Sequence, residues 1–155
     1  MSDERGIPWS GTGIASMQTD PAYYIEARPW GEFRCFGQNI QCTAKVLILR
    51  PRQALSVQFH QHRDQHYYVM GKAFVEWSAE PVPENLTGSQ KICEWWQGTS
   101  YREAVTVDGD EFFFPRRHIH RVTSLADTVR VFEVAYGVND EMDIVRIDDL
   151  YGREE

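Results

Sequence analysis

A chain of 155 residues with 42% hydrophobic and 13% aromatic side chains can bury one core, and none of its apolar runs approaches a membrane span in length. A formal net charge of −7 sets it against nucleic-acid phosphate. Its three cysteines (Cys35, Cys42, Cys93) lack CxxC spacing, so neither a disulfide framework nor a thiolate zinc site is indicated.

The opening MSDERGIPWSGTG has neither the basic nor the apolar region of a signal peptide, so the expected compartment is the cytoplasm. Residues 1–27, rich in Gly, Ser, Thr and Pro, read as an arm or an early edge strand, and residues 28–155 as one domain. From Arg28 onward short β-type runs are separated by turn residues. They cover residues 44–49, closed by Arg50-Pro51; 65–70, closed by Gly71-Lys72; and 73–77. Later runs cover 101–107, closed by Asp108-Gly109, then 111–114, 120–123 and 129–136. Regular spacing and β-branched or aromatic content predict an all-β antiparallel sandwich or barrel. Residues 78–100 break this rhythm with prolines, glycines and the Trp95-Trp96 pair. A long loop packed over one end of the barrel is expected there.

Three of the five histidines, His60, His62 and His66, fall within seven residues, and His118 and His120 recur together later. Imidazole binds transition metals while neutral, so two histidine islands beside apolar runs suggest an ion held between neighbouring strands. Strand alternation places Gln58, His60 and His62 on one face and turns His66 away from Gln65.

These features match the cupin pattern. Cupins carry a first motif of a turn glycine, a His-x-His pair, a Glu and a closing Gly, and a second motif of Gly, Pro-x-Gly and His. Setting Gly71 at the closing glycine puts Gln65 at the Glu, Gln58 and His60 at the histidine pair and Arg52 at the turn glycine. Gly109, Pro115 and His120 fit the second motif, with Arg117 where Gly is usual. More closely, the chain resembles the cupin domain of type II mannose-6-phosphate isomerases, often fused to mannose-1-phosphate guanylyltransferases. The resemblance runs through Arg28-Pro-Trp-Gly31, Lys45, Pro51, Ser56-Val-Gln58, His60-Gln-His-Arg63 and His66. It continues through Pro115, His120-Arg121, Glu133-Val134, Asp143-Ile-Val-Arg146, Asp149 and Tyr151-Gly-Arg153, with residues 78–100 as the gap.

The resemblance implies a cupin jelly-roll barrel and a divalent metal, zinc or alternatively iron or manganese. The ligands would be Gln58, His60, residue 65 and His120, with His62 available as a substitute. The family has Glu at position 65 where this chain has Gln, which removes the carboxylate charge and predicts that Gln65→Glu raises metal affinity. The implied activity is a sugar-phosphate isomerase of the mannose-6-phosphate/fructose-6-phosphate class, for which Lys45 and Glu133 are candidate bases and Arg121 a candidate catalytic cation. Arg50, Arg52, Lys72, Arg116 and Arg117 would rim the mouth, and the tryptophan pair would form an apolar wall. The expected ligand is an anionic sugar, and a homodimer is expected. The alternatives are an iron-dependent oxygenase or lyase on a small metabolite, and a non-catalytic sugar-binding or regulatory cupin.

Overall fold

The computed structural model describes residues 24–39, 41–137 and 142–152. Among these residues eleven strands form two antiparallel sheets. The first sheet contains β1 (Tyr24–Arg28), β2 (Gly31–Asn39), β3 (Cys42–Leu49), β10 (Val129–Gly137), β5 (Arg63–Met70) and β8 (Asp110–Phe114), in that spatial order. The second contains β11 (Val145–Asp148), β4 (Val57–Phe59), β9 (His120–Ser124), β6 (Ala73–Ser78) and β7 (Tyr101–Val105). This is the all-β double-sheet barrel expected of a cupin. The residues of the expected arm before Tyr24 lie outside those described. Among the described residues no helix is long and apolar enough to cross a membrane.

Alternation along the strands sends one set of side chains inward, and registered pairing makes them read as rows across the first sheet. One row, Phe33–Leu47–Val131–Val69, is apolar. The next, Cys35–Lys45–Glu133–Tyr67–Phe112, buries a lysine and a glutamate from solvent. Beyond it, Thr43, Ala135, Gln65 and Phe114 form a third. The barrel interior therefore changes from hydrocarbon to polar within two strand repeats. Its apolar end is sealed by Leu49, Val75, Val122 and Val129, and its polar end is left to form a site.

Residues 78–100 are not featureless: α1 (Ser89–Trp95) runs into a π-helical turn at Trp96–Ser100. The segment packs as a second core in which Val82, Ile92 and Trp96 meet Val57, Phe59, Ile119 and Ile147. Val57, Phe59 and Ile147 alternate with the cavity-lining Gln58 and Arg146, so this core lies on the outer face of the five-stranded sheet rather than over an end of the barrel. Trp96 donates its indole N–H to the Trp77 carbonyl at 3.0 Å.

Arg52 and Arg117, the two positions where the cupin pattern has glycine, both adopt positive φ, 59° and 66°. The backbone turns demanded by the motif are thus kept without glycine. Arg117 has compensation: its guanidinium donates to the Val82 and Pro83 carbonyls at 3.0 and 3.2 Å and lies 5.3 Å from the Phe59 ring centroid. It ties the helical segment to the strand bearing the site. Arg52 is exposed and gains no comparable contact. Arg52→Gly is therefore expected to be neutral or to stabilise by about 0.5 kcal/mol, strain relief of ~1 kcal/mol being partly offset by chain entropy. Arg117→Gly is expected to cost about 1–3 kcal/mol through its lost hydrogen bonds. Thermal melts of the two variants check this, and equal shifts would show that the Arg117 contacts contribute nothing.

Candidate functional site

The polar end of the barrel encloses a cavity of about 300 Å³. Strands of both sheets contribute: Gln58 from β4, Lys45 from β3, Arg63, Gln65 and Tyr67 from β5, Glu133 from β10 and Arg146 from β11. His60 follows β4 and also lines the cavity, while His120 of β9 lies behind it, 5.7 Å from the His60 ring centroid.

Each of these histidines has its proton placed by a backbone carbonyl. The Nδ1 of His60 contacts the carbonyl oxygen of Asp143, and Nδ1 of His120 lies 3.0 Å from that of His118. Since a carbonyl can only accept, Nδ1 of His120 carries the hydrogen and its Nε2 keeps the lone pair. At His60 the closer Asp143 carbonyl asks the same of Nδ1, against the Arg63 Nη2 at 3.3 Å, which can only donate. Burial, followed by the positive charge of Arg63, pushes the His60 pKa down to about 3. His120 is pushed down to about 3 by burial and then by His60. Both rings are neutral at physiological pH. His120 is also immobilised, stacked on Phe114 at 4.6 Å and met edge-on by Tyr67.

Asp143 organises the approach to His60. Its carboxylate accepts from the backbone N–H groups of Gln61 and His62, both at 2.9 Å, and stands 4.0 Å from the Arg63 guanidinium. Its own carbonyl orients the imidazole. Signals for Asp143 and Arg63 were present in the matched stretches, but neither residue drew a role from sequence. Contact across 83 positions is what reveals it.

Glu133 is buried beside Gln65, whose Nε2 donates to its Oε2 at 2.6 Å. Burial and then the negative charge of Glu133 raise the Tyr67 phenol well above its ordinary range. Lys45, directly across from Glu133 in the β3–β10 register, holds its ammonium 4.4 Å from the Phe33 ring centroid. The lining residues include four cations, Arg28, Lys45, Arg63 and Arg146, against one carboxylate, Glu133, on a chain of net charge −7.

Of the residues singled out from sequence, Gln58, His60, Gln65, Lys45 and Glu133 line the cavity and His120 adjoins it. Two do not join them. His62 is exposed, because β4 ends at Phe59 and the chain turns before strand alternation can bring it inward. A Cβ at Gly137 (φ 117°) would lie 2.3 Å from the His62 carbonyl, so the two chains touch backbone to backbone at that turn. Arg121 points away from the interior and pairs with Glu76 at 2.9 Å. The expected wall and rim also move: Trp95 and Trp96 belong to the second core, and the cavity wall is instead Trp30, Phe33 and Leu55. The cations that line the cavity are Arg28, Lys45, Arg63 and Arg146 rather than the turn arginines.

Among the described residues, no group of three or more His, Cys, Asp and Glu side chains is arranged to hold a metal ion. The donor set available combines two imidazoles with two amides. Two of its acceptor atoms, Nε2 of His120 and Oε1 of Gln65, are buried without a hydrogen-bond partner. Such orphaned acceptors in a neutral, oriented set fit a divalent cation, and carbonyl-anchored imidazoles are the usual metal-binding arrangement. Gln58 now turns its Nε2 toward Nε2 of His60 (3.5 Å) while its Oε1 accepts from Ser56 at 2.5 Å. Rotating the amide would present the oxygen instead, with Ser56 accepting in turn.

The family model described as "Mannose-6-phosphate isomerase C-terminal" matches residues 17–91. Mannose-1-phosphate guanylyltransferase 2 of Escherichia coli O157:H7 is 37% identical over 43 residues, 28% of this chain and 9% of that protein. Among solved structures, the capsular polysaccharide assembling protein CapF of Staphylococcus aureus superposes with a TM-score of 0.61 at 13% identity, covering 81% of this chain and 34% of CapF. KdgF from Halomonas sp. gives 0.55 at 16% identity, covering 77% of this chain and 89% of KdgF. Oxalate oxidase in complex with glycolate gives 0.51 at 16%, covering 68% and 46%. The chain thus spans about a third of CapF, and its match to the transferase covers a small part of that protein. At these identities the structural likenesses show the fold.

Proposed function

We propose that this chain, a cupin resembling the C-terminal domain of mannose-6-phosphate isomerases, binds a hexose phosphate in its cavity and interconverts the aldose and ketose forms. The carrying observation is the concentration of Arg28, Lys45, Arg63 and Arg146 around a 300 Å³ space on an acidic chain. A cavity of that size and charge suits a small anion with a polar body. Arginines meet phosphate through paired N–H donors, and Trp30 and Phe33 offer flat apolar surface to a sugar ring.

Isomerisation moves a proton between adjacent carbons, so the site needs an acceptor fixed beside the substrate. Glu133 is that acceptor, held by the Gln65 amide, and Lys45 opposite it balances the charge that forms. His60 and His120, with Gln58 and Gln65, would hold the divalent ion. When bound, that ion supplies Lewis acidity toward the sugar oxygens. The neutral donor set favours weak loading, and so supports a second reading in which the cavity binds its sugar without turning it over.

Titration of mannose 6-phosphate or fructose 6-phosphate should change tryptophan fluorescence, and Trp30→Phe should remove that change. Binding should weaken as salt rises. With zinc added, proton NMR should show the two sugars interconverting, and Glu133→Gln should reduce the rate by about 10²–10⁴-fold. Binding without interconversion at saturating zinc would replace the isomerase reading by the binding one. Absence of binding would end both and leave iron-dependent chemistry on another metabolite, which metal analysis of the purified protein would test.

A further inference from the structure

Resting on the functional reading above, we infer that the cavity takes up its divalent ion and its anionic sugar cooperatively, the sugar's phosphate supplying the negative charge that the ion's donors lack. Those donors, Gln58, Gln65, His60 and His120, are two amides and two neutral imidazoles. The carboxylates beside them already face cations. Glu133 has Lys45 opposite it in the β3–β10 register, and Asp143 has the Arg63 guanidinium at 4.0 Å. The charged side chains that act on the His60 ring are Arg63, Lys45 and Arg146, all positive. An ion at Nε2 of that ring is repelled by the same three, and none of its donors offsets the repulsion. Loading is therefore weak until an anion enters.

The strand pairing puts anion and ion within reach of each other. Arg146, Gln58 and His120 are registered neighbours on β11, β4 and β9. An anion-binding guanidinium, an amide and an imidazole therefore follow one another across the five-stranded sheet. At a strand spacing of ~4.8 Å, the Arg146 backbone lies about 5 Å from that of Gln58 and about 10 Å from that of His120. A phosphate on Arg146 and an ion on Gln58, His60 and His120 are then separated by roughly 5–10 Å. A dication and a dianion ~7 Å apart favour each other by about 50-fold even at the dielectric of bulk water. An enclosed cavity strengthens that attraction and salt weakens it, so a coupling of about 10- to 100-fold is expected. Coupling is reciprocal, and the sugar phosphate gains from the ion the factor that the ion gains from it. A carboxylate at position 65 would give the ion its own counter-charge. Gln65 makes its loading depend on the anion.

Isothermal titration calorimetry of the full chain with zinc and sorbitol 6-phosphate, a reduced sugar phosphate with no carbonyl to isomerise, tests this. The zinc Kd should fall about 10- to 100-fold at saturating sorbitol 6-phosphate, and the sugar-phosphate Kd by the same factor at saturating zinc. Sulfate, a dianion without hydroxyl groups, should also lower the zinc Kd, by about threefold or more against chloride at matched ionic strength. A coupling shown by sorbitol 6-phosphate and not by sulfate would mark direct coordination of zinc by the sugar and would overturn the inference. Arg146→Gln should move the two separate affinities in opposite directions, zinc alone binding about threefold tighter and sugar phosphate alone about tenfold weaker. Damage to the fold would weaken both; in that case the reciprocal factors and the sulfate effect in the wild type decide. Zinc and sugar phosphate that both bind, each with a Kd indifferent to the other, would overturn the inference and leave the functional reading standing. Sugar phosphate that binds neither with zinc nor without it would end that reading, and the inference with it.

Discussion

Lowering the pH from about 7 to about 5 is expected to remove about 4 kcal/mol of folding stability through two side chains, His60 and His120. Both imidazoles have their pKa pushed from 6.5 to about 3, chiefly by burial. Below pH 6.5 the unfolded chain takes up a proton at each site, and the folded chain does not until the pH nears 3. The stabilisation is therefore fully present above about pH 6.5 and declines as the pH falls, by about 1.4 kcal/mol per pH unit for each group. Integrated to pH 5, that is about 2 kcal/mol per histidine, a large share of the ~5–15 kcal/mol that holds a domain together. Urea midpoints measured across this range should fall steeply. His60→Asn and His120→Asn should each lower the absolute stability, yet each should also remove about half of the pH-dependent loss. A midpoint that stays flat, or a slope that neither variant changes, would mean the rings are not buried and neutral.

Gln65→Glu should have a comparably large effect, opposite in sign for the metal-free and metal-loaded protein. The Gln65 amide donates to Glu133 at 2.6 Å in a buried setting. Replacing it by a carboxylate places two acceptors at that separation, and they can coexist only by sharing a proton or a cation. Without metal the variant should lose about 3–5 kcal/mol at neutral pH. The deficit should grow as the pH rises, since the shared proton is bound by the folded chain and not by the unfolded one. Adding Glu133→Gln should recover most of the loss by restoring one donor and one acceptor. Zinc should raise the melting temperature of Gln65→Glu more than that of the wild type, because the new carboxylate supplies the charge that the amide lacks. Full stability of metal-free Gln65→Glu would show that the two side chains do not meet.

This pair marks where reading the chain stops. The expectation that Gln65→Glu raises metal affinity follows from ligand chemistry at one position. That a second carboxylate already occupies the neighbouring space depends on a contact spanning 68 residues. Gln65 and Glu133 lie on the adjacent strands β5 and β10, two residues out of register, Gln65 standing opposite Ala135 and Glu133 opposite Tyr67. A sequence shows that both residues face inward by alternation. It does not show which inward residues share a level.

The barrel was legible because its determinants are local: period-two alternation, turn residues, and motif spacings that survive even where Arg52 and Arg117 replace glycine. The same local rules bring Gln58, His60 and His120 to one end of the fold, since Gln58 and His120 are registered partners and His60 immediately follows their strand. They mislead at His62, where the strand ends too early for alternation to apply. They also mislead at Trp95 and Trp96, whose indoles satisfy a second core that only the closure of residues 78–100 creates. Arg146 reaches the site from the edge strand β11, Asp143 from the segment just before it, and Arg63 from the first position of β5, inside the other sheet. The sequence alone determined the double-sheet barrel and its histidine-bearing end, because short-range periodicity controls which face a side chain takes. Only the tertiary structure decided which buried groups touch, because register between distant strands is set by packing of the whole core.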